Sequence, residues 1–254
     1  MAIRKLIEEE NNNVVSFEVV KPNEPKLTKS SEVKKTPNNN TEERFVEPLT
    51  ELEDIAKIKE YFKEKIETST GYEKDIFARN LLLFTVGINS GYRVSDLVTL
   101  TWGDFFQADN KTFRDRKSRK EKKTGKIKQL YINKSIEKAI TDYLAIMGDK
   151  VTVEQDRYIF VNHRVSSDKP ICKETVASMI KDVTKACGIK GNYNTHSLRK
   201  TFGYQLYMML TNQGNSLALP IVQQELNHRN QSDTLRYLGL HYKNRAKLVN
   251  ELSL

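Results

Sequence analysis

The chain has 254 residues, 38% of them apolar, and a net charge of +9, enough for one substantial domain or two small ones. It has no run of 18 apolar residues, its first ten residues end in three glutamates, and its two cysteines, Cys172 and Cys187, lack metal-like spacing. A membrane span, a secretory leader and a disulfide framework are therefore not expected, and the reading is a reducing, cytoplasmic protein. The charge is unevenly spread. Residues 1–49 hold eight Lys or Arg and nine Asp or Glu, which leaves 34 basic and 24 acidic side chains in residues 50–254, a net of +10. A basic excess confined to the part that can fold suits a polyanionic partner, although a solvated charged surface accounts for composition equally well.

Residues 1–43 are rich in Asn, Lys, Glu and Pro, contain no Gly and have one aromatic residue, Phe17. Such a segment buries too little apolar surface to offset its ordering entropy, so residues 1–45 read as a flexible arm, with a short strand conceivable at 13–20. Order is expected from about Val46. Thr50 and Glu53 fit a capping box, and Ile55, Ile58, Tyr61, Phe62 and Ile66 repeat at helical spacing. A second helix is predicted over 72–90, with Phe77, Leu81, Phe84 and Ile88 on its apolar face and Gly91 as its breaker. Arg93 to Leu100 reads as a short helix ending near Trp102-Gly103. The period then changes, and 104–116 and 127–132 read as two strands joined by a very basic turn. Helices are predicted over 134–147, 173–187 (closed by Gly188), 195–210, 218–226, 232–238 and 242–252, with a short buried strand or an extended segment at 158–161. The fold class is mainly α with a small antiparallel sheet, and 46–254 forms one domain.

Four segments carry chemistry. In the first, Arg93 follows Gly91-Tyr92 and is flanked by apolar residues. A partly buried guanidinium needs a partner, and Asp96, three residues on, can supply it. The second is Lys111 to Lys128, with ten Lys or Arg in 18 residues against two acids, Asp115 and Glu121. A hairpin this basic can lie against a phosphate backbone, with Arg116, Arg119, Lys120, Lys122 and Lys126 as candidate contacts. The third is Thr195-His-Ser-Leu-Arg-Lys200, where a helix places His196 and Arg199 on one face as donors to one phosphate, with Lys200 beside them. The fourth runs from Leu226-Asn-His228 to Tyr237. Taken singly, each has a plainer account: a local ion pair, a charged loop, a chance His–Arg spacing, one of eleven tyrosines.

In this order, however, the set resembles the catalytic signature of tyrosine recombinases, the phage-integrase type, over about residues 46–245. Gly91-Tyr-Arg-Val-Ser-Asp-Leu-Val-Thr-Leu-Thr-Trp-Gly-Asp104 is similar to the first family box, Thr195-His-Ser-Leu-Arg-Lys-Thr-Phe202 to the second, and Val222-Gln-Gln-Glu-Leu-Asn-His228 with Thr234 and Tyr237 to the third. Lys122-Lys-Thr-Gly-Lys-Ile resembles the pattern around the family's active-site lysine, which favours Lys123, with Lys122 and Lys120 as alternatives. The third box normally reads Leu-Gly-His. Here it is Leu226-Asn227-His228, and Asn is the next best residue for a left-handed backbone.

The resemblance implies DNA strand cleavage and rejoining. Arg93 and Arg199 would clamp the non-bridging oxygens, His196 and His228 would assist, Lys123 would protonate the leaving 5′ oxygen, and Tyr237 would form a 3′-phosphotyrosyl link. Asp96 would support. No cofactor is needed, because the arginines and lysine take the place of a metal. The implied partners are double-stranded DNA and further copies of the chain, usually four on two sites, and the implied location is the nucleoid. The predicted helix at 242–252 is a candidate for docking on a neighbour. Most family members also carry an N-terminal core-binding domain. Residues 1–45 are too short and polar to form one, so an arm or an accessory DNA-binding protein would complete the clamp. The competing readings are a non-catalytic DNA-binding protein of the same fold, a type IB topoisomerase and a basic RNA-binding module.

Overall fold

The computed structural model describes residues 45–162, 169–240 and 249–250. The expected arm over 1–45 and nearly all of the expected helix at 242–252 lie outside the described residues. Eight helices and one hairpin are present among those described: α1 (Leu52–Thr68), α2 (Gly71–Ser90), α3 (Val94–Leu97), β1 (Arg116–Lys120), β2 (Ile127–Tyr131), α4 (Lys134–Met147), α5 (Lys173–Ala186), α6 (Thr195–Asn212), α7 (Ala218–Glu225) and α8 (Gln231–Tyr237). The expected class, mainly helical with one small antiparallel sheet, is the observed one.

Apolar periodicity placed the long helices well because their buried stripes face one core. Ile55, Ile58, Phe62 and Ile66 of α1 meet Leu82, Leu83 and Phe84 of α2, and Ile136, Ile140, Tyr143 and Met147 of α4 close over them. Burial of this kind, roughly 25 cal/mol per Å² of apolar surface, is what holds these helices. A second, smaller cluster lies between α6, α7 and α8, built on Leu210, Ala218, Val222, Leu226 and Leu238. Among the described residues no helix is long and apolar enough to cross a membrane.

Three expectations need correction. The capping box on Thr50 is absent: the N-cap of α1 is Glu51, without a side-chain cap, and the Thr50 hydroxyl donates to Glu51 Oε1 at 3.1 Å. The chain before α1 is held from elsewhere, because Leu49 N–H donates to the buried Thr201 hydroxyl and Gln205 Nε2 donates to the Leu49 carbonyl. The first hairpin strand is not 104–116. Trp102–Asp104 is a 3₁₀ turn, with Asp104 and Thr101 forming a reciprocal cap, and Phe106 and Phe113 make only an isolated bridge. The strand is the basic run 116–120 itself, paired so that Arg116 faces Tyr131 and Lys120 faces Ile127. Alternation lets it turn Lys117 and Arg119 partly inward while Arg116, Ser118 and Lys120 stay exposed. Finally, the helix expected from Arg93 to Leu100 is four residues long, and Arg93 is its N-cap with extended backbone. The segment 158–161 makes only single bridges, Thr101 with Tyr158 and Val161 with Pro170.

Candidate active site

Two close helix contacts bring the separated motifs together. A Cβ on Gly87 of α2 would lie 2.8 Å from the Leu198 side chain of α6, so the two helices touch where glycine permits it. Gly91 ends α2 at φ +60°, and a Cβ there would lie 2.3 Å from the Phe202 ring. Only glycine suits both the left-handed turn and the close approach. The Gly91 carbonyl is thereby exposed to α6, where Arg199 reaches it.

Arg199 is the hub. Its side chain is 2% exposed, and it donates to the Gly91 carbonyl at 2.6 Å, to Glu121 Oε1 at 3.3 Å and to the Leu226 carbonyl. One guanidinium thus ties together the turn before Arg93, the hairpin and the end of α7. Arg93 donates to the same Glu121 oxygen at 2.5 Å. The expectation that Asp96 holds Arg93 is corrected here. Because Arg93 caps α3 rather than lying within it, the two side chains do not share a helix face. Asp96 Oδ1 instead accepts the backbone N–H of Lys122 at 2.9 Å, and its buried Oδ2 has no hydrogen-bond partner among the described residues. Asp96 therefore anchors the hairpin turn.

Glu121 is fully buried. Burial alone would raise its pKa, but the Thr124 hydroxyl and the Arg199 and Arg93 charges outweigh that and hold it below the usual carboxylate value. Its second oxygen accepts from Thr124 Oγ1 at 2.8 Å and from Asn227 Nδ2 at 3.2 Å. Asn227 has φ +50°, the left-handed conformation expected at this position. Its side chain reaches back to the hairpin, and its carbonyl accepts from Lys126 Nζ at 3.2 Å. Lys128, the inward residue of β2, donates to the Glu225 carbonyl at 2.6 Å and lies over the Tyr92 and Phe202 rings. Burial, with Arg199 nearby, lowers its pKa to about 8.

Tyr237 closes α8. Its hydroxyl is buried with no hydrogen-bond partner among the described residues. Burial raises its pKa, and the charges of Arg199 and Arg93 oppose that rise. The His228 ring meets the Tyr237 ring edge-on, with centroids 4.9 Å apart, and its Nδ1 lies 3.1 Å from the Thr234 hydroxyl. Burial and the two arginines depress the His228 pKa to about 4, so it is neutral at pH 7. His196, exposed in the first turn of α6, is lowered as well, by burial and then by Lys200, Arg199 and Lys123. Lys123 itself is exposed at the hairpin tip. A phenol, two guanidiniums and the neutral His228 imidazole thus surround one small volume, an arrangement of donors and positive charge that suits an anion.

Comparison with known proteins gives the family and the fold. Residues 51–244 match the model of the phage integrase family. The chain belongs to that family. It is 30% identical over 196 residues to a probable integrase/recombinase, YoeC, of Bacillus subtilis (strain 168), covering 77% of this chain and 91% of that protein. It is 28% identical to the tyrosine recombinase XerC of Caldanaerobacter subterraneus subsp. tengcongensis over 68% of this chain, which spans 44% of that relative's length. Among solved structures, the XerH site-specific recombinase bound to a palindromic difH substrate superposes with a TM-score of 0.57 at 19% identity, over 81% of this chain and 53% of that one. The XerA recombinase superposes with a TM-score of 0.55 at 20% identity, over 83% of this chain and 68% of that one. The fold is that of the tyrosine recombinase catalytic domain.

Within this family fold the remaining sequence-predicted residues divide into two groups. Arg116, Lys120, Lys122 and Lys126 are exposed on the hairpin. Arg119 turns inward, pairs with Asp104 and donates to the Thr99 carbonyl. Lys200 is 6% exposed, with Nζ 3.5 Å from the centre of the Phe45 ring and 5.1 Å from that of Tyr237. Its pKa is lowered by burial to about 8. Sequence reasoning gave no role to Glu121 or Lys128, and read Asn227 for its backbone only, not for its side-chain bond to Glu121. The available signals were Glu121's position as an acid inside a basic run and the inward register of Lys128 beside Leu130.

Proposed function

We propose that the protein is a site-specific DNA recombinase that cuts and rejoins strands through a covalent link to Tyr237. The observation that carries this reading is the Tyr237 hydroxyl: buried, without a well-formed hydrogen bond among the described residues, close to the Arg199 guanidinium, in the field of Arg93 and beside a neutral His228. A buried phenol without a partner forgoes a hydrogen bond worth about 1 kcal/mol, a cost tolerated where a ligand completes the site. In the reaction the Tyr237 oxygen attacks the phosphorus and forms the new P–O bond. The bond to the 5′ oxygen breaks, and that oxygen takes its proton from Lys123. The phenolic proton passes to His228, whose basicity rises when the phosphodiester anion offsets the arginine charges that depress it. Arg93 and Arg199 hold the non-bridging oxygens, with His196 as a further donor. The bond energy stays in the phosphotyrosine, so a second 5′ hydroxyl reverses the step without hydrolysis. The substrate is double-stranded DNA, gripped along the exposed basic face of the hairpin by an oligomer of this chain.

The test is adduct formation. A nicked duplex, chosen from DNA captured covalently by the protein from its own genome, is incubated with enzyme and run on a denaturing gel. Wild type retains the labelled strand. Tyr237→Phe binds the duplex but retains nothing. An undiminished adduct in the Phe variant removes Tyr237 as the nucleophile.

A further inference from the structure

A single carboxylate sits where the two arginines converge. Glu121 Oε1 takes donors from Arg93 and Arg199, and Oε2 takes donors from Thr124 and Asn227. The arrangement has four donors from four parts of the chain, two acceptor oxygens and one negative charge. A phosphodiester presents the same two terminal oxygens and the same single charge. A site built to hold a phosphate between these arginines cannot hold Glu121 in the same place at the same time, because like charges a few ångströms apart in a buried setting repel strongly.

We infer that Glu121 is an internal, displaceable stand-in for the phosphate, a positioning residue that keeps Arg93 and Arg199 assembled in the free protein and must leave their shared anion position when DNA arrives. The inference rests on the recombinase reading for its ligand, a phosphodiester of DNA. The location of Glu121 fits the role. It lies where β1 ends and the turn begins, closed by Glu121 N–H to the Lys126 carbonyl and Gly125 N–H to the Glu121 carbonyl, both at 2.9 Å, with Gly125 at φ +67°. Lys123 is two residues along the same turn, exposed in the free state. Displacement of Glu121 therefore moves the turn that bears Lys123, so that arrival of the phosphate and placement of the general acid are one event. Asn227 adds to the hold. Glycine, the residue that the third family box normally has here, supplies no side-chain donor to Oε2, so this chain grips its stand-in more firmly than a glycine variant does.

The experiment uses inorganic phosphate as probe with the full chain. Phosphate affinity is read from the concentration dependence of the melting temperature, since a ligand that binds only the folded state stabilises it by mass action. Glu121→Gln keeps the shape and removes the charge. It is expected to melt below wild type in phosphate-free buffer, because the buried Arg199 and the half-buried Arg93 lose their counter-charge, and to bind phosphate at least about tenfold more tightly than wild type. Equal or weaker phosphate binding by Glu121→Gln overturns the inference, since a purely structural glutamate gives the lower melting temperature without the gain in affinity. Should Glu121→Gln fail to fold, the guanidinium Nε signals of Arg93 and Arg199 in wild type decide. Both shifting together as phosphate is titrated supports displacement, and neither moving at saturating phosphate overturns it. The adduct assay separates this inference from the reading beneath it. Adduct without a phosphate gain removes only the role of Glu121, and a phosphate gain without adduct removes only the recombinase chemistry.

Discussion

The core beneath α1, α2 and α4 and the cluster between α6, α7 and α8 are built to different depths. The first buries Phe62, Phe84, Trp102, Phe105 and Phe160, each at most 1% exposed. The second rests on Leu210, Ala218, Val222, Leu226 and Leu238, with no buried aromatic ring at its centre. Helices α7 and α8, eight and seven residues long, are too short to be stable alone and depend on that cluster. Yet Tyr237 ends α8 and His228 lies in the turn between the two helices, while Arg93 is set by the end of α2 in the large core. Arg93 thus belongs to the deeply packed part and the Tyr237 phenol to the lightly packed part. Segments that must move are drawn from the less stable end of a protein. Besides the packing of Phe202 against Gly91, polar contacts join the halves: Arg199 to the Leu226 carbonyl, and Lys128 to the Glu225 carbonyl.

Four measurements break or sharpen this contrast. Phe62→Ala opens a cavity in the large core and is expected to cost about 3–5 kcal/mol in denaturant unfolding, seen equally by every probe of the fold. Leu226→Ala in the small cluster should cost about 2–3 kcal/mol and act locally. Amide exchange is expected to quicken through α7 and α8 while α2 keeps its protection. Equal loss in α2 would show that the two clusters unfold as one and would end the distinction.

The third measurement is pH dependence. The folded pKa of His228 is depressed to about 4, against about 6.5 unfolded, so the unfolded chain binds more protons between those values. The neutral imidazole's contribution is complete above pH 6.5 and is lost as pH falls towards 4. Wild type should therefore lose more stability than His228→Asn between pH 7 and pH 4.5, and parallel profiles would place the imidazole outside the arginine field. The smallest effect concerns the hairpin surface. Lys120→Gln should lower the slope of log affinity for duplex DNA against log salt by about 0.9 while leaving stability unchanged. Arg119→Gln should do the reverse, destabilising the fold by stripping Asp104 of its partner with little change in slope.

Helix positions were legible in the sequence wherever a wide apolar stripe met the large core, as in α1, α2 and α4, because periodicity reports burial directly. The hairpin was misread because its strand 116–120 is nearly all charged, and pairing with 127–131 supplies what propensity does not. The motifs placed Arg93, His196, Arg199, His228 and Tyr237 in one family pattern, and the fold gathers Arg93, Arg199, His228 and Tyr237 around one volume.

Residue types and their order along the chain were enough to name the family and the helical class, and to nominate the groups proposed to handle a phosphate. The partners of those groups were decided only by the tertiary structure. Sequence spacing paired Arg93 with Asp96, three residues away. Folding pairs it with Glu121, 28 residues away, and assigns Asp96 to the Lys122 amide. The reason is physical: a buried ion pair forms between charges that three-dimensional packing leaves without water, and nearness along the chain does not determine which charges those are.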